Sequence, residues 1–348
     1  MLYCKFKHIL FLVLLAAIAG CSKIDGGGLQ DNGISFSPMS VSGTRAATLI
    51  GGANEEAFRN EPFAVYGDWI MDGSRTEVFR DTRVSYSTDP KFPTGWGYDP
   101  VKTWQVSGEY DFRAYWPASA NVMGTASAQN LALEYNMLLE NHDMMVAWLH
   151  CPTRNGGNPV DLNFHHTLAA VAVKFQSPDT EYEYRLKNLF FTSLNYIGAL
   201  PYNLTDDTQD VTSSWVYAEG SRGYVDTENI MASERLREWS SAQGRVIPVS
   251  AQDYPLEFDL MLPQSLKVPQ GVALPSITFT VQMKNSSQQE DITMTVSLPS
   301  TNSAGNEMIW RAGKKYIYEI TVLPDKFDVV VKTAEWDEVL GSVGDIIF

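Results

Sequence analysis

Ile277-Thr278-Phe279-Thr280-Val281-Gln282-Met283 and, beyond the turn-forming run Asn285 to Gln289, Ile292-Thr293-Met294-Thr295-Val296-Ser297-Leu298 carry an apolar side chain at every second residue. A period of two puts successive side chains on opposite faces of an extended chain, so each stretch predicts a strand with one buried face. The same alternation recurs to either side, in Tyr110/Phe112/Ala114, Val171/Val173/Phe175, Leu256/Phe258/Leu260/Leu262 and Tyr316/Tyr318/Ile320/Val322. Turn-forming runs separate these stretches: Pro90 to Gly97, Thr153 to Pro159 and Pro299 to Asn306. Little in the chain repeats at 3.6 residues. One stretch, Glu228 to Ser241, could gather Ile230, Met231, Leu236 and Trp239 on a helical face, although Gly220, Gly223 and Gly244 nearby favour a surface excursion. The fold class read from this pattern is all-β, with two β-sandwich domains in tandem.

At 348 residues the chain is longer than one modest core usually holds, which suggests two domains of roughly 150 residues each. The boundary is placed in Asn155-Gly156-Gly157-Asn158-Pro159, giving an N-terminal domain over 46–158 and a C-terminal domain over 159–348. The formal charge of −15 argues against nucleic acid or an anionic lipid surface as partner, since both repel an acidic body.

The N-terminus reads as a lipoprotein signal over 1–20. Lys5 and Lys7 precede an apolar run from Ile9 to Ile18, and Ile18-Ala19-Gly20-Cys21 sets small residues before a cysteine. The apolar run is too short to remain as a spanning helix. Cys21 is therefore the expected lipidation site, with a diacylglyceryl thioether and an N-acyl group holding the chain to a membrane outside the cytoplasm. Ser22 to Gly33, with Gly26-Gly27-Gly28 at its centre, reads as a flexible tether. Of three cysteines, Cys4 leaves with the signal and Cys21 carries lipid, so Cys151 stands alone and forms no intrachain disulfide.

No residue set points to catalysis, and no cofactor or metal is implied. His165 and His166 face opposite sides of a strand and cannot ligate one metal by local geometry. Cys151 beside His150 has no evident orienting group and reads as a buried thiol. Asp206, Asp207 and Asp210 lack the glycine and terminal glutamate of an EF-hand loop and read as solvated charges. Phosphate-binding loop, dinucleotide fingerprint, zinc-protease motif and nucleophile elbow are all missing. The one candidate ligand platform is aromatic: Trp96, Tyr98 and Trp104 lie among glycines and prolines, where exposed rings could stack on a sugar, or pack a long loop onto its sheet.

Several segments, taken in order, resemble the fimbrillin family of Mfa-like type V pilus lipoproteins: the lipobox cysteine, the short strand Ile34-Ser35-Phe36-Ser37, the arginine of Gly43-Thr44-Arg45-Ala46, Leu162-Asn163-Phe164-His165-His166 leading into an Ala/Val strand, and Trp310-Arg311-Ala312-Gly313-Lys314-Lys315-Tyr316-Ile317-Tyr318 followed by Val331 to Trp336. The resemblance implies transthyretin-like sandwiches and a precursor that reaches the outer membrane surface as a lipoprotein. It implies cutting by an arginine-specific protease between Arg45 and Ala46, and assembly with other fimbrial subunits by strand exchange. Residues 21–45 would then be removed on maturation.

Such a cut would discard an inbuilt strand together with the lipid, leaving an edge that another strand must fill. The C-terminal segment 327–348 offers donors: Phe327, Val329 and Val331 alternate along it, and Ile346 and Phe348 give it an apolar tip. Groove and donor occupy different places on one subunit, so the contact is heterologous and propagates into a filament. A host or bacterial surface ligand would make the filament adhesive. The competing reading is a surface glycan-binding lipoprotein of a nutrient-capture system, keeping its lipid and using Trp96, Tyr98 and Trp104.

Overall fold

A computed structural model describes residues 32–40, 55–122, 127, 129–152, 158–203, 211–220, 222, 235–302, 304–335 and 345–347. In chain order the strands are β1 (Phe36–Ser40), β2 (Phe63–Met71), β3 (Ser74–Tyr86), β4 (Trp96–Gly97), β5 (Glu109–Trp116), β6 (Asn121–Val122), β7 (Asn130–Asn136), β8 (Met145–Cys151), β9 (Val160–His166), β10 (Ala169–Gln176), β11 (Glu183–Thr192), β12 (Ile197–Asn203), β13 (Val216–Tyr217), β14 (Leu236–Val246), β15 (Asp259–Met261), β16 (Gln264–Ser265), β17 (Ser276–Lys284), β18 (Gln289–Ser297), β19 (Ile309–Trp310), β20 (Lys314–Val322), β21 (Phe327–Glu335) and β22 (Asp345–Ile347). Among the described residues two short α-helices, α1 (Glu55–Asn60) and α2 (Val211–Ser214), interrupt them. The fold is all-β, as the alternation predicts.

A seven-stranded sheet runs in the order β1-β9-β8-β5-β2-β3-β4. Its central strands are buried on both faces, Phe63 to Asp68 of β2 and Tyr110 to Trp116 of β5 without a break. Odd residues of β2 and even residues of β5 (Phe63, Val65, Phe112, Ala114) enter a smaller, ring-rich core, while Ala64, Tyr66 and Tyr115 enter a larger one. The tight connection from β2 to β3 uses Asp72 and Gly73, both at positive φ (51° and 76°), the two-residue turn whose twist suits a hairpin.

The larger core continues through a four-stranded sheet, β13-β12-β7-β6, into two further sheets, β15-β10-β20-β21-β22 and β14-β11-β17-β18. The alternating stretches that begin at Ile277 and Ile292 fall in β17 and β18, antiparallel from Ser276↔Ser297 to Lys284↔Gln289. Asn285 closes their turn, its Oδ1 accepting the N–H groups of Ser287 and Gln288 at 2.9 Å. The Trp310 to Tyr318 segment is a folding device: Trp310 Nε1 donates to Tyr318 Oη at 2.9 Å, and both side chains are fully buried.

Two sequence expectations need correction. The Asn155 to Pro159 run falls between β8 and β9, which are neighbours in one sheet, so the first sheet extends through His166. A glycine-rich break here marks a connection within a sheet. The halves also interlock, because β7 pairs with β12 over seven residues, Asn130↔Asn203 to Asn136↔Ile197. The possible helix over Glu228 to Ser241 gives way to β14 from Leu236 onward, antiparallel to β11.

Candidate functional site

Residues 32–40 lie in a two-sided slot at the edge of the seven-stranded sheet. On one side Gly33 bridges antiparallel to Thr103: Ile34 N–H donates to the Lys102 carbonyl at 2.8 Å, and Trp104 N–H donates to the Asn32 carbonyl at 2.9 Å. Asn32 Nδ2 adds a bond to the Trp104 carbonyl at 2.8 Å. On the other side β1 runs parallel to β9, from Phe36↔Val160 to Ser40↔Phe164, and Val160 N–H donates to the Ser35 carbonyl at 2.7 Å. The main chain of the segment is thus held from both flanks.

Two side chains of the segment, two positions apart, enter the ring-rich core. Ile34 and Phe36 are each 0% exposed. The Phe36 ring meets four others: Phe79 at 5.4 Å, Tyr98 at 5.6 Å, Phe112 at 5.9 Å and Phe63 at 6.3 Å between centroids. Room for this cluster depends on Gly67, where an added Cβ would stand 2.9 Å from the Phe79 ring and 3.0 Å from Phe112. Burying two such apolar side chains stabilises the segment by roughly 1.5–3 kcal/mol each.

Trp96, Tyr98 and Trp104 form the cover of this core. Their exposures are 8, 6 and 2%, which leaves no ring face for a sugar, and the glycan-platform expectation is corrected accordingly. The rings turn inward and, together with Phe58 of α1, cover the ring-rich sheet face that carries Ile34 and Phe36. Trp96 packs on Phe58 and Phe63, and Trp104 stands edge-on to Tyr110 at 4.7 Å. Tyr98 has a polar task that the sequence does not reveal: its hydroxyl donates to the Ile34 carbonyl at 2.7 Å and accepts the Lys102 N–H at 3.3 Å. Burial raises the pKa of this phenol, keeping it a donor. The glycan-binding alternative loses the rings it relied on.

Other candidates are placed as follows. Cys21, Arg45, Ala46, Phe348 and the Asp206, Asp207, Asp210 group lie outside the described residues. Phe327, Val329 and Val331 belong to β21, which pairs along its length with β20. Val331 is fully buried, and Phe327 stands edge-on to Phe279 at 6.1 Å, so β21 completes its own sheet. Ile346 lies in β22, which pairs with β21 over three residues, Asp345 to Ile347. His165 stacks on Trp148 at 4.6 Å, whereas His166 meets Asp143 at 2.8 Å on the opposite face. The Cys151 thiol sits in the ring-rich core and is pushed up to about 11, by burial first and then by the charges of Asp111 and Asp161. Its neighbour His150 turns the other way, to Asp111 at 2.6 Å. Among the described residues no group of three or more His, Cys, Asp or Glu could hold a metal, and no helix is long and apolar enough to cross a membrane.

The fold defines an all-β protein whose first described strand is a buried insert at a sheet edge. The chain belongs to the fimbrillin-like family, whose model matches residues 44–336. That family is one of fimbrial, adhesive structural proteins of the cell surface, not of enzymes. Among curated proteins none matches. Among solved structures the chain is similar to a candidate cell adhesion protein from Bacteroides uniformis (12% identity, TM-score 0.49, covering 88% of this chain and 100% of that one). It is also similar to one from Bacteroides ovatus (12%, 0.44, 92% and 98%). A third is the C-terminally truncated tip fimbrial protein Mfa3 from Porphyromonas gingivalis (14%, 0.36, 79% and 94%). The family match carries the assignment; these distant likenesses add nothing about function.

Proposed function

We propose that this chain is a structural or tip subunit of a cell-surface fimbria, exported as an outer membrane lipoprotein through Cys21, cut between Arg45 and Ala46 by an arginine-specific protease, and joined to other subunits by donor-strand exchange. One observation carries the reading: Ile34 and Phe36 are completely buried in the body, yet they lie on the lipid side of Arg45. A cut after Arg45 separates residues 32–40 covalently from everything they pack on. Their departure would bare ring pockets and main-chain groups of Lys102, Trp104 and Val160, an edge that stays soluble only when another strand covers it.

The donor is assigned to the C-terminal segment, and within it to the residues of β22. That strand is held by three residue pairs, whereas β21 is built into its own core through Val331. Incubating the precursor with an arginine-specific protease should yield a fragment beginning at Ala46 that oligomerises. Deleting residues 345–348 should stop polymerisation while leaving the thermal transition in place. A cut product that stays monomeric, or scattered digestion with no stable fragment, contradicts the reading.

A further inference from the structure

We infer that Tyr98 sets the register of whichever strand fills the slot, and that the slot selects an extended segment with a branched aliphatic and an aromatic residue two positions apart, running parallel to β9. This rests on the reading that the strand now in the slot is exchangeable.

When Asn32 to Ser40 leave, the groups that lose a partner include the Lys102 carbonyl, the N–H groups of Trp104 and Val160, and the Tyr98 hydroxyl. The first three are main-chain groups of the slot's walls, and any extended chain can supply a carbonyl or an N–H to them. The hydroxyl differs because it is carried on a buried ring packed against Phe36 and Phe79, at centroid distances of 5.6 and 5.4 Å. A buried donor left unsatisfied is costly, and the cost falls on any occupant that presents no carbonyl at that point.

Carbonyls along an extended chain alternate in direction, as side chains do. Sliding the occupant by one residue turns the carbonyl away from Tyr98 and at the same time turns both apolar side chains out of the core. Sliding it by two restores a carbonyl but moves the aromatic residue off the cage of Phe63, Phe79, Tyr98 and Phe112. Hydroxyl and ring cage together therefore admit one register. The present occupant meets both conditions, with Ile34 and Phe36 two residues apart and the Ile34 carbonyl 2.7 Å from the hydroxyl. A partner is recognised by the same chemistry.

The test uses the full chain with a site for a highly specific protease inserted between residues 42 and 47, so that release does not depend on cutting at Arg45. After cutting, a fluorescent synthetic peptide of residues 31–40 is titrated in, either all-amide or with the Ile34 carbonyl replaced by a thioamide, a weaker acceptor. The protein is either unaltered or Tyr98→Phe, a change that keeps the ring and removes the hydroxyl. On unaltered protein the thioamide should weaken binding about five- to tenfold, and on Tyr98→Phe by less than about twofold. A peptide whose Ile and Phe stand three residues apart instead of two should not compete. Equal thioamide effects on both proteins overturn the role of Tyr98. If Tyr98→Phe fails to fold, a thioamide effect below about twofold on the unaltered protein overturns it equally. Absence of any peptide binding after the cut overturns the exchange reading itself, which keeps the two failures apart.

Discussion

Phe36 stands edge-on to Phe79, their ring centroids 5.4 Å apart at 71°, so the first described strand reaches the middle of the ring-rich core. The contact joins a residue before Arg45 to one on β3, far beyond it. Phe36→Ala in the intact precursor should therefore destabilise the fold by about 3–5 kcal/mol, read as a lower urea midpoint. If Phe36 were a passenger on the surface, the change would fall within about 0.5 kcal/mol.

Gly67 tests the same cluster from the opposite side. A methyl group there meets the Phe79 and Phe112 rings at 2.9 and 3.0 Å, and neither ring can retreat without disturbing Phe36. Gly67→Ala is expected to cost about 1–3 kcal/mol by overpacking. The loss should shrink when Phe36→Ala is made as well, since space is then free, and a double-mutant cycle measures that coupling.

Arg237 lies in β14 at φ 54°, a left-handed conformation unusual for a side chain of this size. Its guanidinium donates to the Leu260 carbonyl at 2.7 Å, and Asn141 Oδ1 accepts the Leu260 N–H at 2.9 Å. Leu260 belongs to β15, an outermost strand of its sheet, so two side chains satisfy the groups that another strand would otherwise bond. Asn141→Ala should speed hydrogen exchange at the Leu260 amide by about fivefold or more while leaving the core strands protected.

Two half-buried groups give opposite pH dependences. Burial, opposed by Arg237 and reinforced by Glu257, pushes the Asp259 carboxyl up to about 6. Unfolded carboxyls titrate near 4, so the folded chain binds this proton more tightly, and the stability it contributes is complete below about pH 4 and lost as pH rises through about 6. Burial, with the charge of His166 adding to it, pushes His165 down to about 4. Its contribution is present above about 6.5 and lost as pH falls through about 4. Urea midpoints between about pH 4 and 7 should show Asp259→Asn flattening the first trend and His165→Gln the second, each by on the order of 1–2 kcal/mol.

The legibility of these features in the sequence follows from their range. Ser276 to Ser297 read correctly because a hairpin closed by Asn285 is local. The alternation Ile34-x-Phe36 is equally local, but its partner β9 lies far along the chain and runs parallel, and periodicity names no partners. Trp96, Tyr98 and Trp104 were visible as an aromatic-rich loop, while the direction their rings face depends on a distant sheet. The helix expectation near Trp239 fails for a specific reason. Leu189 and Phe191 of β11, two apart, face Trp239 and Leu236 of β14, three apart, so the irregularity that contains Arg237 gives a strand the spacing of a helix.

The most direct measurement of the central claim is the N-terminal residue of the chain in assembled fimbriae, by mass spectrometry of its terminal peptide. The account predicts Ala46, with residues 32–40 absent from the filament. A terminus at acylated Cys21, with Ile34 and Phe36 still carried in the assembled protein, would contradict it.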